Sequence, residues 1–122
     1  MAFYGWKHVE QEHVAILLGA VKKVFADPNK RLLWPRAENE SGQEISPFST
    51  EASKWSLLGA GEMCATAIFS NPLDRYVECA MRDFLDDISD GKSIHGMTYE
   101  DEFALISLGH ELLETKETSD EH

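Results

Sequence analysis

Apolar residues recur at helical spacing in four separate stretches of the chain, and the polar positions between them set the limits of each. In residues 8–26, Val14, Leu17, Leu18, Val21, Val24 and Phe25 fall on one arc while Gln11, Glu12, Lys22 and Lys23 lie opposite. That is the pattern of a helix burying one stripe. Asp27-Pro28-Asn29 stops it, because proline has no amide hydrogen to donate and steers the residue before it away from helical geometry. Residues 72–89 repeat the pattern, with Leu73, Val77, Ala80, Met81, Phe84, Leu85 and Ile88 inward and Arg75, Glu78, Arg82 and Asp86 outward. Asn71 is the expected N-cap there and Pro72 the first helical residue. Residues 99–114 make the last helix, opened by Thr98 with Asp101 three positions later. It has two apolar sides, one with Tyr99, Phe103, Ile106, His110 and Leu113, the other with Leu105, Leu108 and Leu112.

The remaining stretch, residues 50–69, predicts a helix of a different kind, capped by Ser49 or Thr50. Its apolar positions, Trp55, Leu57, Leu58, Gly61, Cys64, Ala65, Ile68 and Phe69, spread over about half the circumference, and Ala52, Ser56, Ala60 and Ala67 fill much of the rest. Two interior glycines cost roughly 1 kcal/mol each against alanine, so Gly59 and Gly61 imply that another part of the chain comes close. Glu62 falls beside Trp55 and Phe69, which makes Trp55 and Glu62 the candidate lining of a ligand groove. Between the first two helices, Lys30–Trp34 and Gln43–Ser46 read as short strands joined through the polar run Glu38–Gly42. Pro35 and Pro47 restrict both to sheet edges. The expected fold is mainly α: a four-helix single domain over residues 1–114 with a short β-hairpin arm between helices 1 and 2, and residues 115–122 as a disordered acidic tail. Phe3, Tyr4 and Trp6 form an aromatic N-terminal tag too short to assign.

Composition narrows the class. A chain of 122 residues with 43% hydrophobic and 27% charged residues builds one core. No apolar run approaches the ~18 residues of a membrane span. The opening Met1-Ala-Phe-Tyr-Gly-Trp6 lacks the basic and long apolar parts of a signal peptide, so the expected location is cytoplasmic. Cys64 and Cys79 lie inside predicted helices with no CxxC partner, as buried thiols do.

Net charge, at -11, changes the picture most. The acidity is a property of the C-terminal half, where residues 94–122 hold eight Asp and Glu side chains against Lys116 alone. A phosphate backbone would be repelled there, so direct nucleic-acid binding is disfavoured. A basic protein partner is favoured, as is imitation of a nucleic acid. Asp83, Asp86 and Asp90 share one outer edge of the third helix, and Glu100, Asp101 and Glu102 open the fourth. The turn between those helices makes these six residues the expected partner-binding set. The second apolar side of the last helix, Leu105, Leu108 and Leu112, is the expected interface of a homodimer.

Constellations that would carry catalysis are incomplete. Glu10 and His13 give a single Glu-x-x-His, whereas a carboxylate-bridged di-iron bundle uses two such motifs and two further glutamates. His110-Glu111-Leu-Leu-Glu114 puts a glutamate where a zinc helix carries its second histidine. His95 has no ligand partner in sequence. Nor is there a glycine-rich phosphate loop, a nucleophile elbow or a Cys/His dyad. No catalytic residue, metal or cofactor is expected.

The run Trp55-Ser-Leu-Leu-Gly59-Ala60, preceded by an amphipathic helix and a short arm, resembles a family of small uncharacterised bacterial and phage proteins with Trp-Cys-x-x-Gly-Ala-Leu on the corresponding helix. Ser56 and Gly61 stand in the cysteine and leucine positions, and the family's later Trp-Asn-Asp element has no match near Ile94–Met97. The resemblance implies a phage or bacterial source and no established activity. Together these features point to a small acidic protein-binding module, a phage-encoded inhibitor of the anti-CRISPR or anti-restriction type that blocks a host nucleic-acid-binding protein through an acidic helical surface. The alternative is a small ligand-binding protein or metal-dependent hydrolase that uses His13, Glu62, His95 or His110 in a groove near Trp55.

Overall fold

The structure, a computed structural model, describes residues 3–33, 36–94 and 96–120, with side chains as far as Glu114. Among the described residues the helices are α1 (Gln11–Val24), α2 (Leu57–Ile68), α3 (Leu73–Ile88) and α4 (Tyr99–Asp120). A 3-10 turn at Pro28–Lys30 and two short antiparallel strands, β1 (Ala37–Glu38) and β2 (Lys54–Trp55), lie between α1 and α2. The fold is thus mainly α, four helices with a two-stranded hairpin between the first two. No described helix is long and apolar enough to cross a membrane.

The hub is α1 rather than α2, since α1 packs against all three other helices. Its Val14, Leu17, Leu18 and Val21, with Phe25 just beyond it, are fully buried, joined by Val77, Met81 and Leu85 of α3 and Ile106 of α4. Full burial of one such side chain is worth roughly 1.5–3 kcal/mol, so the helix with the largest apolar stripe takes the centre. Helix α2 is thin instead: Gly59, Ala60, Gly61, Cys64 and Ala65 are its buried positions apart from Leu57.

The start of α2 departs from expectation. Ser56, not Ser49 or Thr50, is its N-cap, and the Ser56 Oγ accepts the Gly59 amide at 3.2 Å. Ser46 and Ser49 cap local turns through the amides of Phe48 and Glu51. Trp55 is therefore a strand residue, held by pairing with Ala37 across the hairpin. Tertiary pairing has overridden the helical periodicity that Trp55 shares with Leu58.

The arm also pairs differently. Over the described part of the expected strand, residues 30–33, Arg31 forms only an isolated bridge with Trp55, and the Leu32 amide donates to the Trp55 carbonyl at 2.8 Å. Trp34 and Pro35 lie outside the described residues. The polar run does turn the chain, with the Asn39 Oδ1 accepting the amides of Ser41 and Gln43 at 3.0 Å each. The predicted strand at Gln43–Ser46 pairs back over a short stretch: Glu44 bridges to Glu38, the Asn39 amide donates to the Gln43 carbonyl at 3.0 Å and the Ile45 amide to the Ala37 carbonyl at 3.1 Å.

Helix α3 begins at Leu73 with Pro72 as its N-cap and a cis Asn71-Pro72 peptide, so Asn71 is not the cap. Thr98 caps α4 as expected, its Oγ1 accepting the Asp101 amide at 3.2 Å. Backbone helix in α4 continues past Glu114 to Asp120, and Glu121 and His122 lie outside the described residues. Its second apolar side divides. Leu105 is only 8% exposed and belongs to the core, which removes it from the expected dimer interface, whereas Leu108 and Leu112 are 45% and 44% exposed.

Candidate functional site

Helix α3 carries two polar stripes because its sequence is amphipathic over less than half its surface, and each stripe meets a different neighbour. The first runs through Tyr76, Asp83 and Asp87, spaced at seven and four residues so that they stack on one side. The N-terminal segment lies across it. A tight reversal, with the Phe3 amide donating to the Val9 carbonyl at 2.8 Å and positive φ at Tyr4, Gly5 and His8, turns the aromatic tag back onto α3. Trp6 stacks on Tyr76 at 6.1 Å and donates its Nε1 hydrogen to Asp83 at 2.6 Å. Tyr4 donates its hydroxyl hydrogen to Asp87 at 2.5 Å, and Phe3 packs against Phe84. Partial burial, reinforced by the bond to Asp87 and the charges of Asp87 and Asp83, pushes the Tyr4 phenol up to about 12.

Of the six residues expected to bind a partner, five are exposed: Asp83 and Asp86 on α3, Asp90 in the turn just beyond its end, and Glu100 and Asp101 in the first turn of α4. Asp83 already accepts a hydrogen bond from Trp6. Glu102 is a correction. It is 4% exposed and forms an ion pair with Arg31, Nε to Oε1 3.2 Å and Nη2 to Oε2 3.5 Å, so it joins the arm to α4 rather than facing a partner. Asp87 is the acidic residue on this face that the sequence did not single out; its spacing of four from Asp83 was the available signal.

The second stripe of α3, Arg75, Glu78, Cys79 and Arg82, faces α2 across a cleft of about 440 Å³. Of the outward set expected from the sequence, Arg75 is exposed, Arg82 is half-buried and Glu78 is buried. Their opposite numbers are Glu62, Ala65 and Thr66 of α2, with Phe48 of the arm and Asn71 at the ends. On the α2 side, Glu62 and Thr66 flank the short side chain of Ala65.

Charges in the cleft are paired in part. Arg82 Nε donates to Glu78 Oε2 at 2.9 Å, and Asp74 accepts from the Thr66 hydroxyl at 3.2 Å and the Arg75 amide at 2.9 Å. Glu78 is nearly buried, and its carboxyl is raised above the ordinary range by burial; Arg82 opposes that shift, while the charge of Glu62 adds to it. Glu62 is paired by distance with Arg36, Nε to Oε1 3.3 Å, yet the alignment is not that of a hydrogen bond and the buried Oε1 is left without one. With Arg36 largely exposed, that contact is a loose surface ion pair. The Arg75 guanidinium makes no ion pair or hydrogen bond among the described residues.

Trp55 does not line this cleft. Its indole donates to the Pro47 carbonyl at 3.1 Å, so the expected groove of Trp55 and Glu62 is corrected to Glu62 and α3. Both cysteines are free thiols; Cys64 is buried, which lifts its thiol to about 11, and Cys79 lies within 3.6 Å of Arg82 Nη2.

His13 and His110 have structural partners, whereas His8 is exposed in the N-terminal reversal. His13 Nδ1 accepts the Glu10 amide at 3.0 Å, so Glu-x-x-His is a helix cap, and its ring meets Phe69 edge-on. His110 Nε2 pairs with Glu114 Oε1 at 2.8 Å, one helical turn away. His95 lies outside the described residues. Glu10, Glu12 and His13 bring three donor atoms within 4.8 Å at the exposed start of α1. No protein-family model, curated protein or solved structure matches the chain.

Proposed function

We propose that this protein is an acidic protein-binding module whose working surface is the exposed carboxylate face of α3 together with the first turn of α4. The observation that carries it is the set Asp83, Asp86 and Asp87 exposed along α3, followed by Asp90 in the turn beyond it and by Glu100 and Asp101, on a chain of net charge -11. Such an array raises the local concentration of a cationic partner and speeds its encounter. The partner is a basic protein. Blocking of a nucleic-acid-binding host protein, in the manner of a phage-encoded anti-CRISPR or anti-restriction inhibitor, rests on the resemblance around Trp55–Ala60.

The test is capture of partners from bacterial lysate by wild type and by the charge-reversed Asp86→Lys, Asp90→Lys, Glu100→Lys and Asp101→Lys protein. Asp83 and Asp87 are left in place because they hold Trp6 and Tyr4. A basic protein should be held by wild type and released by the reversal or by high salt, as exposed charges are screened beyond ~8–10 Å at physiological ionic strength. Folding stability should change by under about 0.5 kcal/mol for each exposed substitution. Retention of the same proteins by both versions at low and high salt would show that the acidic face does not bind them.

A homodimer through Leu108 and Leu112 belongs to the same proposal, since two large exposed apolar side chains one turn apart make a seam for a second helix. Sedimentation should then report a dimer that Leu108→Glu converts to a folded monomer. A wild type that sediments as a monomer at high concentration removes the dimer.

A further inference from the structure

The cleft between α2 and α3 combines two features that solvated helix faces lack with a cation that has no protein partner among the described residues. It is concave, at about 440 Å³ within the ordinary range of small-ligand sites. It contains a buried carboxylate oxygen, Glu62 Oε1, that has no hydrogen bond. It also contains the Arg75 guanidinium, which has no acceptor among the described residues. A buried acceptor left unmade costs roughly 1–3 kcal/mol, more when charged, so a ligand that brings a donor to Glu62 recovers that cost on binding.

The charge pattern decides which ligand. Glu78 and Asp74 have donors in Arg82, Thr66 and the Arg75 amide, and Arg36 offsets Glu62 only loosely. A simple cation would satisfy Glu62 and leave Arg75 as it is. A simple anion would meet Arg75 while passing three carboxylates. Only a molecule with both charges completes both groups without adding net charge to a partly buried site. Arg75 and Glu78 are neighbours on α3, and Gly61 of α2 sits against Glu78, so Glu62 and Arg75 lie on facing helices within about a turn of each other. Phe48, 54% exposed at the lip, offers an apolar wall for the stem of such a molecule.

We propose that this cleft is a binding site for a small zwitterion of the amino-acid class, its ammonium group on Glu62 and its carboxylate on Arg75. The site lies on a different stripe of α3 from the acidic face and does not depend on that face binding a partner.

Titration calorimetry with glycine, γ-aminobutyrate and 6-aminohexanoate tests it, with butylamine and butyrate as single-charge controls. At least one of the three zwitterions should bind, at least about tenfold more tightly than either control, the ratio expected when one charge-assisted contact is lost. Glu62→Gln and Arg75→Ala should each weaken that zwitterion by about tenfold or more, with the helical circular dichroism unchanged. Both side chains are partly or fully exposed, so neither change threatens the core. Butylamine binding as tightly as the best zwitterion would overturn the proposal in favour of a cation site. No heat with any of the three zwitterions, or binding indifferent to both substitutions, would overturn it outright.

Discussion

Gly59→Ala should destabilise the protein by about 3 kcal/mol or more, at the upper end of what overpacking costs, lowering the melting temperature by roughly 10–15 °C for a domain of this size. A Cβ at Gly59 would stand 1.9 Å from the Arg36 carbonyl oxygen and 2.8 Å from its carbon, a clash with backbone that no rotamer relieves. That carbonyl also accepts the Ser56 amide at 3.0 Å. Moving the arm away to admit a methyl group therefore breaks the hydrogen bond that holds the hairpin against the start of α2. Gly61→Ala is the control. Its Cβ would meet the Met81 methyl at 3.1 Å and Glu78 Cγ at 3.4 Å, both on side chains that can shift. Better helix propensity, worth roughly 1 kcal/mol, offsets that contact, so the melting temperature should move by a few degrees at most. Equal melting temperatures for Gly59→Ala and wild type would show that the arm does not rest on α2.

Arg31→Met should cost about 3–5 kcal/mol, because it leaves Glu102 buried without its cation. The Arg31 side chain is 11% exposed and that of Glu102 6%, so water screens the pair little. Arg31 also donates from Nη2 to the Met97 carbonyl, and one guanidinium thus ties the start of the arm to the loop and first turn of α4. Lysine offers a point charge in place of that fork, and Arg31→Lys should recover only part of the loss in urea denaturation. Replacing both partners by methionine should be less damaging than Arg31→Met alone, since the uncompensated charge is then gone. A single replacement within about 0.5 kcal/mol of wild type, the range of an ordinary surface change, would show that the ion pair does not hold the arm.

These two positions mark where the sequence was legible and where it was not. Residues 11–24 and 73–88 were readable because one helix buries one stripe, and the apolar spacing in Val14–Val21 and Val77–Leu85 reports that stripe directly. Gly59 was readable as a close approach, since a glycine costs helix stability without one. The identity of what approaches, the Arg36 carbonyl, was not, because no local pattern encodes which distant backbone will arrive. The same limit misplaced the start of α2: Trp55 has helical spacing to Leu58, and pairing with Ala37 from the other side of the arm took it into a strand.

Charge behaves in the same way. The sequence by itself determined that the C-terminal half is acidic and that Asp83 and Asp86 lie near one another on α3, because α-helical periodicity fixes what lies on one side of a helix; Asp90, expected on the same edge, falls in the turn after Ile88. Which acidic residues remain available was decided by tertiary contacts: Arg31 takes Glu102 into the interior, Trp6 and Tyr4 occupy Asp83 and Asp87, and α2 covers Glu78. The stripe Arg75, Glu78, Cys79 and Arg82 looked like a solvated face because its own helix gives it polar spacing and nothing more. It became a cleft only when Glu62, Ala65 and Thr66 of α2 were set opposite it. A helix's sequence specifies its faces, whereas the neighbour that each face meets depends on how the whole chain packs.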